Sequence, residues 1–144
     1  RSLRLLLGGL EGALLADKPA DARLFDGLTD LPLPAWCPPE LFAVYERTFA
    51  GRGFHGALNW YRNFERNWQR TEHLADKQVE QPTLFLLGER DPVGRFEAPT
   101  LKRMTAKVPR LEQHLLPGCG HWLQSERGEE VSALLLDFLA RNYR

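Results

Sequence analysis

Three features of the sequence predict an α/β fold in which parallel strands are covered by helices. Two short segments read as strands: the apolar run Thr83-Leu84-Phe85-Leu86-Leu87, and residues 111–116, which end in the apolar pair Leu115-Leu116. Helical periodicity alternates with them, over residues 99–107 and again where Val131, Leu134, Leu135 and Phe138 share a face. Strand, helix, strand, helix in that order implies parallel pairing with a right-handed crossover. Two parallel strands cannot cover both of their faces alone, because such sheets are normally buried between helix layers. Further strands from elsewhere are therefore expected to complete the sheet.

From the start of the chain, Leu3, Leu6, Leu7, Leu10 and Leu14 recur at helical spacing. Gly8, Gly9 and Gly12 weaken that helix by about 1 kcal/mol each relative to alanine, so a short helix packed on something else is expected. Arg1 and Arg4 before an apolar stretch imitate a secretory signal. Glu11 interrupts the stretch and no initiator Met precedes it, which favours the helix and predicts that the chain is a fragment or a processed product. Residues 17–39 carry Pro19, Pro32, Pro34, Pro38 and Pro39 without apolar periodicity and read as an extended connection.

Pro39 suits the first position of a helix, and Leu41, Val44, Tyr45, Thr48 and Phe49 mark one face of it before Gly51 and Gly53 stop it. A second helix is expected over residues 58–70. There Trp60, Phe64 and Trp68 fall at steps of four and Tyr61 lands on the edge of the same aromatic stripe. A polar link over residues 71–81 leads to Pro82 and the first strand, which Gly88 closes.

Composition narrows the class of function. The chain is 43% hydrophobic and 26% charged, as ordinary globular domains are. Lys plus Arg and Asp plus Glu both number 19, so no electrostatic footprint for nucleic acid or an anionic membrane stands out and a small molecule or a protein is the expected partner. Cys37 and Cys119 do not make a disulfide framework, which predicts a reducing, cytoplasmic compartment.

Chemistry concentrates just past the two strands. Asp91 lies in Gly88-Glu89-Arg90-Asp91-Pro92 and His121 in Pro117-Gly118-Cys119-Gly120-His121-Trp122. The glycines let the backbone leave each strand sharply, at the edge where open α/β sheets bind ligands. Taken singly, Asp91 reads as a cap on the next turn and His121 as a structural histidine. Together they form an acid and base in the chain order of hydrolases built on such sheets.

At these residues the sequence resembles a known family, the epoxide hydrolases of the α/β-hydrolase fold. The resemblance rests on Gly56-Ala57-Leu58-Asn59-Trp60-Tyr61-Arg62-Asn63, on Gly88-Glu89-Arg90-Asp91 and on Gly118-Cys119-Gly120-His121-Trp122, and covers residues 40–144 best. It implies the C-terminal portion of an α/β-hydrolase preceded by a helical lid segment, with residues 1–72 as the remainder of the lid and 73–144 as core. It also implies a two-step reaction in which an aspartate opens an epoxide to an alkyl ester and His121 activates water to hydrolyse that ester. Asp91 would orient and stabilise the imidazolium. Tyr61 matches the lid tyrosine that donates to the epoxide oxygen, and Trp60 and Trp122 would line the substrate site. A phenol, protonated at neutral pH, can supply a proton to the far more basic alkoxide formed on ring opening. Read from composition alone, Tyr61 is one ring of an aromatic core.

The departures are equally specific. No Gly-x-Asp-x-Gly or Gly-x-Ser-x-Gly occurs, so the elbow that presents a nucleophile is not in this sequence, nor is the oxyanion-hole loop before it. The chain alone is expected not to turn over an epoxide and to need the N-terminal half of the hydrolase. No cofactor and no metal are expected, since the histidines form no close pair and no Cys-x-x-Cys or His-Glu-x-x-His is present. Cys119 reads as a packing residue rather than a nucleophile. Arg62, Arg66 and Arg70 are neutralised by Glu65 and Glu72 and read as a solvated face. Two alternatives stay open. One is a haloalkane or haloacid dehalogenase of the same fold, in which Trp60 would stabilise a halide; the other is a non-catalytic, hydrolase-like partner subunit.

Overall fold

A computed structural model describes residues 1–143; Arg144, the last residue of the expected core segment, lies outside them. The opening apolar stretch forms two short helices instead of one, α1 (Ser2–Gly8) and α2 (Leu10–Leu15). They break at Gly9, which is buried so tightly that a Cβ would meet a Leu31 methyl at 2.7 Å and the Leu5 carbonyl at 3.0 Å. Residues 17–38 contain turns but neither helix nor strand, as the prolines predict.

The helix α3 (Pro39–Arg52) begins with Pro39 in its first turn and stops at Gly53, whose φ of 63° is in the region that favours glycine. The aromatic segment departs from expectation. It forms α4 (His55–Arg62) and α5 (Phe64–Arg70), parted at Asn63. Asn63 donates its backbone N–H to the Trp60 carbonyl at 3.3 Å and its side-chain amide to the Asn59 carbonyl at 2.7 Å. An asparagine that competes in this way for nearby backbone groups favours a helix boundary over a helix interior. A single 3-10 turn, Glu72–Leu74, follows.

The second half runs β1 (Thr83–Gly88), α6 (Pro92–Phe96), α7 (Ala98–Lys107), β2 (Leu111–Leu116), α8 (Leu123–Glu126) and α9 (Gly128–Asn142). Helices of five residues (α6) and four residues (α8) are too short to show a periodicity, which is why only the longer ones are visible in the sequence. The strands pair in parallel from Thr83↔Leu111 to Gly88↔Leu116. Both therefore end at the same level.

Among the described residues, two clusters of buried side chains form the core. Leu116, Cys119 and Leu123 are buried with Leu86, Val131 and Leu134 against them, joining both strands to α9. Leu7, Cys37 and Phe42 form the other, with Trp36, Tyr45 and Trp122 packed on it. Trp122 thus connects the strand-end loop to the N-terminal helices. Apolar surface stays uncovered at Leu115, 59% exposed on β2, and at Leu136, 66% exposed on α9.

Candidate active site

The loops after β1 and β2 are laced together by their backbones. Glu89 donates its N–H to the Leu116 carbonyl at 3.0 Å and Arg90 donates to the Cys119 carbonyl at 2.8 Å. In return the Glu89 carboxylate accepts the Gly118 N–H at 2.8 Å. Gly118 turns the second loop with a φ of 64°, a conformation that costs a Cβ-bearing residue steric strain. This lacing places Asp91 and His121 side by side.

His121 Nδ1 lies 3.1 and 3.0 Å from the two carboxylate oxygens of Asp91. The Asp91 side chain is 7% exposed and also accepts the Val93 N–H at 2.9 Å, capping α6. The capping role and the pairing with histidine therefore coexist in one residue. An ionised carboxylate only accepts hydrogen bonds, so in the neutral imidazole Nδ1 carries the proton and Nε2 keeps its lone pair. Among the described residues Nε2 has no hydrogen-bond partner, and the imidazole is 35% exposed. That geometry can take a proton from water while Asp91 offsets the charge that develops on the ring.

Glu126 was not among the residues the sequence pointed to. One of its carboxylate oxygens accepts the Gly120 N–H at 2.8 Å and the other accepts the Trp122 N–H at 3.1 Å, on either side of His121. The available signal was a carboxylate one turn into a helix that follows a glycine-rich loop, a relative of the capping box in which an acid reaches back to the helix entry. Trp122 supplies the rest of the support. Its indole N–H donates to the Leu6 carbonyl at 3.2 Å, and its ring meets the His121 ring edge-on, with centroids 5.1 Å apart. Cys119 is fully buried; burial, with the Glu126 charge as the next cause, raises its thiol above the ordinary range. A thiol held protonated in this way is a packing group.

The structure does not bring Trp60 and Tyr61 to this pair. Trp60 and Tyr61 lie on α4, 78% and 66% exposed, and Tyr61 packs against Phe64 with ring centroids 5.5 Å apart. Among the described residues no hydrogen bond or ring contact joins either of them to Asp91 or His121. The aromatic stripe is a solvent-facing surface here rather than a core. A surface depression of about 510 Å³ is bordered by residues of the 16–28 segment and by none of Asp91, His121, Trp60 and Tyr61. Chemistry, not concavity, marks the site. Among the described residues no group of three His, Cys, Asp or Glu side chains is arranged to hold a metal ion, and no helix is long and apolar enough to cross a membrane.

Residues 3–134 match the sequence pattern of the alpha/beta hydrolase family. The chain is 43% identical over 148 residues to epoxide hydrolase A of Mycobacterium tuberculosis (strain ATCC 25618 / H37Rv), covering 96% of this chain and 45% of that protein. It is 34% identical over 128 residues to bifunctional epoxide hydrolase 2 of Mus musculus, covering 89% of this chain and 21% of the relative. Among solved structures, epoxide hydrolase A from Mycobacterium thermoresistibile superposes with a TM-score of 0.86 at 41% identity, over 96% of this chain and 45% of that one. An epoxide hydrolase from an endophytic Streptomyces superposes with a TM-score of 0.87 at 36% identity, over 96% and 44%. The chain spans less than half the length of these relatives.

Proposed function

Because the chain belongs to the alpha/beta hydrolase family, we propose that it is the acid, base and lid portion of an epoxide hydrolase that converts an epoxide to a vicinal diol through an alkyl ester. The observation that carries this reading is the His121–Asp91 pair at 3.0 Å, held where both strands end, with Nε2 left to face water. Residues 1–72 are read as the remainder of the lid and residues 73–144 as the C-terminal part of the core. An aspartate elbow, absent from this sequence, attacks an epoxide carbon and Tyr61 protonates the departing oxygen. His121 then takes a proton from water, the hydroxide adds to the ester carbonyl, and the tetrahedral adduct collapses with its own hydroxyl proton passing to the departing oxygen, which releases the diol and restores the aspartate while the imidazolium proton returns to the Tyr61 phenolate. Trp60 and Trp122 contribute the walls of the substrate site.

The elbow and its oxyanion hole belong to the N-terminal half of the hydrolase, so this portion alone is inactive in the proposal. The buried, unpaired thiols of Cys37 and Cys119 suit a reducing cytoplasm. A dehalogenase is the weaker reading, since the relatives described above are all epoxide hydrolases and a departing halide needs no proton from Tyr61.

A single turnover of styrene oxide in ¹⁸O-labelled water, run with the complete protein that includes the elbow, tests the mechanism. Unlabelled diol is expected, because the incoming oxygen is retained in the enzyme carboxylate. Labelled diol would mean direct attack by water, and chloroalkane turnover without any diol from styrene oxide would replace the reading with a dehalogenase.

A further inference from the structure

We infer that Glu126 is a positioning residue for the second half-reaction, acting as a two-pronged clamp on the backbone that carries the base. This inference rests on the proposed ester mechanism. Among the described residues, the hydrogen bonds to Asp91 are the ones that hold the imidazole itself, and Asp91 fixes the ring only if the backbone at residue 121 stays in register. The loop between β2 and α8 has a left-handed turn at Gly118 and a second glycine at position 120, so it has little steric stiffness of its own. Glu126 supplies that stiffness from outside. It accepts the N–H before His121 through one oxygen at 2.8 Å and the N–H after it through the other at 3.1 Å.

The clamp is also spatially tight. A Cβ on Gly120 would lie 2.9 Å from one Glu126 carboxylate oxygen and 3.3 Å from the other, so the bare backbone at 120 is what lets the carboxylate close on it. Gly120 itself is only partly exposed, and its N–H would lose a strong charge-assisted partner if the carboxylate were removed. Loss of the clamp lets the loop relax, and a displacement of about 1 Å at a reacting group can cost roughly 10²-fold. The ester-forming step does not use His121 as a base, so it is spared.

Kinetics separate these two steps. In the ester mechanism kcat/KM reports formation of the ester and kcat reports its hydrolysis when the second step is slow. In the complete enzyme, Glu126→Ala is expected to lower kcat roughly tenfold to a hundredfold. KM should fall in parallel, kcat/KM should stay within about threefold, and the alkyl ester should accumulate. Glu126→Gln keeps one carbonyl acceptor and should recover part of the lost rate; it also carries the test if the alanine variant does not fold. A purely structural role would instead reduce the active fraction, lowering the burst amplitude and kcat together at constant KM. That result, or a wild-type hydrolysis rate in Glu126→Ala, or an equal loss of kcat/KM, overturns the clamp. Failure of the parent reading looks different, because the unmodified enzyme would then form no ester and no diol.

Discussion

Gly88 closes β1 directly against Gly120: a Cβ on Gly88 would meet the carbonyl oxygens of Gly120 and of Cys119, the latter at 2.6 Å. Both obstacles are backbone, which cannot swing aside. Gly88→Ala should therefore push the two strand-end loops apart at a cost of about 1–3 kcal/mol and loosen the Asp91–His121 pair with them. Thermal unfolding of the complete protein, beside a Gly56→Ala control where a Cβ meets nothing within 4 Å, measures it. Equal melting temperatures for the two variants would contradict the close approach.

The base and its acid should fail in different ways. His121→Gln leaves no proton acceptor for water, so the alkyl ester should persist long enough to appear as a mass increase on the intact protein. Asp91→Asn retains an oxygen for the Val93 N–H, so α6 should keep its cap and the fold its stability. It loses the carboxylate that fixes the tautomer of His121, and turnover should drop by roughly 10²–10⁴-fold. Quench-flow mass spectrometry checks both, and diol production at the unmodified rate by either would remove the assignment.

Tyr61 should matter before the ester rather than after it. Its hydroxyl has no partner among the described residues and the residue is 66% exposed, so Tyr61→Phe should leave the melting temperature within about 1 °C, as surface substitutions usually do. Ester formation should slow by about 10²-fold while ester hydrolysis is little changed. A single-turnover experiment separates the steps, and a slowed second step with a normal first would assign Tyr61 some other role.

An ion network beside the sheet predicts a pH dependence away from the chemistry. The carboxylate of Glu112, on β2, takes hydrogen bonds from His114 at 2.8 Å and from Arg141, on α9, at 3.0 and 2.8 Å. His114 first and Arg141 second hold Glu112 below the ordinary carboxylate range. A group whose folded value is depressed contributes stability that is complete above its unfolded value and is lost as pH falls through the folded one. Glu112→Gln should accordingly lower the melting temperature slightly at neutral pH, and the difference should close in acid. The effect is small because the pair is solvent-screened. A gap that widens toward low pH would reverse the sign.

Both thiols should be slow to modify. Cys37 and Cys119 are fully buried, and burial raises each thiol above its ordinary range, which lowers the reactive thiolate fraction. Iodoacetamide mapped by peptide mass should label neither in the native protein and both after denaturation. Rapid native labelling of Cys119 would mean that the His121 loop opens readily.

The elements legible in the sequence are those whose residues answer mainly to neighbours along the chain. Thr83 to Leu87 is an apolar run and Leu111 to Leu116 a mixed one ending in Leu115-Leu116; each is bounded by Pro and Gly, and both became strands within one residue of expectation. Pro39 and Gly53 bracket α3 for the same local reason. The breaks at Gly9 and Asn63 were not legible, because one follows from packing on Leu31 and the other from a side chain reaching back to Asn59. Within the site, Asp91 and His121 could be found because each closes a strand. Glu126 offered the sequence no more than the look of a capping acid, since its meaning lies in two backbone N–H groups that only the folded loop turns toward it. Trp60 and Tyr61 carry a recognisable segment, yet these residues alone leave them in solvent.

The equal ends of the two strands act as a ruler. Thr83 pairs with Leu111 and Gly88 with Leu116 without a bulge, so the Asp91–His121 pair is set by counting six residues along each strand. Each residue is worth about 3.3 Å of travel and a change of face, while a useful hydrogen bond tolerates only a few tenths of an ångström. Deleting or adding a single residue in either strand would retract or overshoot one partner by more than the whole tolerance. Length can drift freely in the proline-rich connection at residues 17–38; in the strands it fixes the distance between Asp91 and His121.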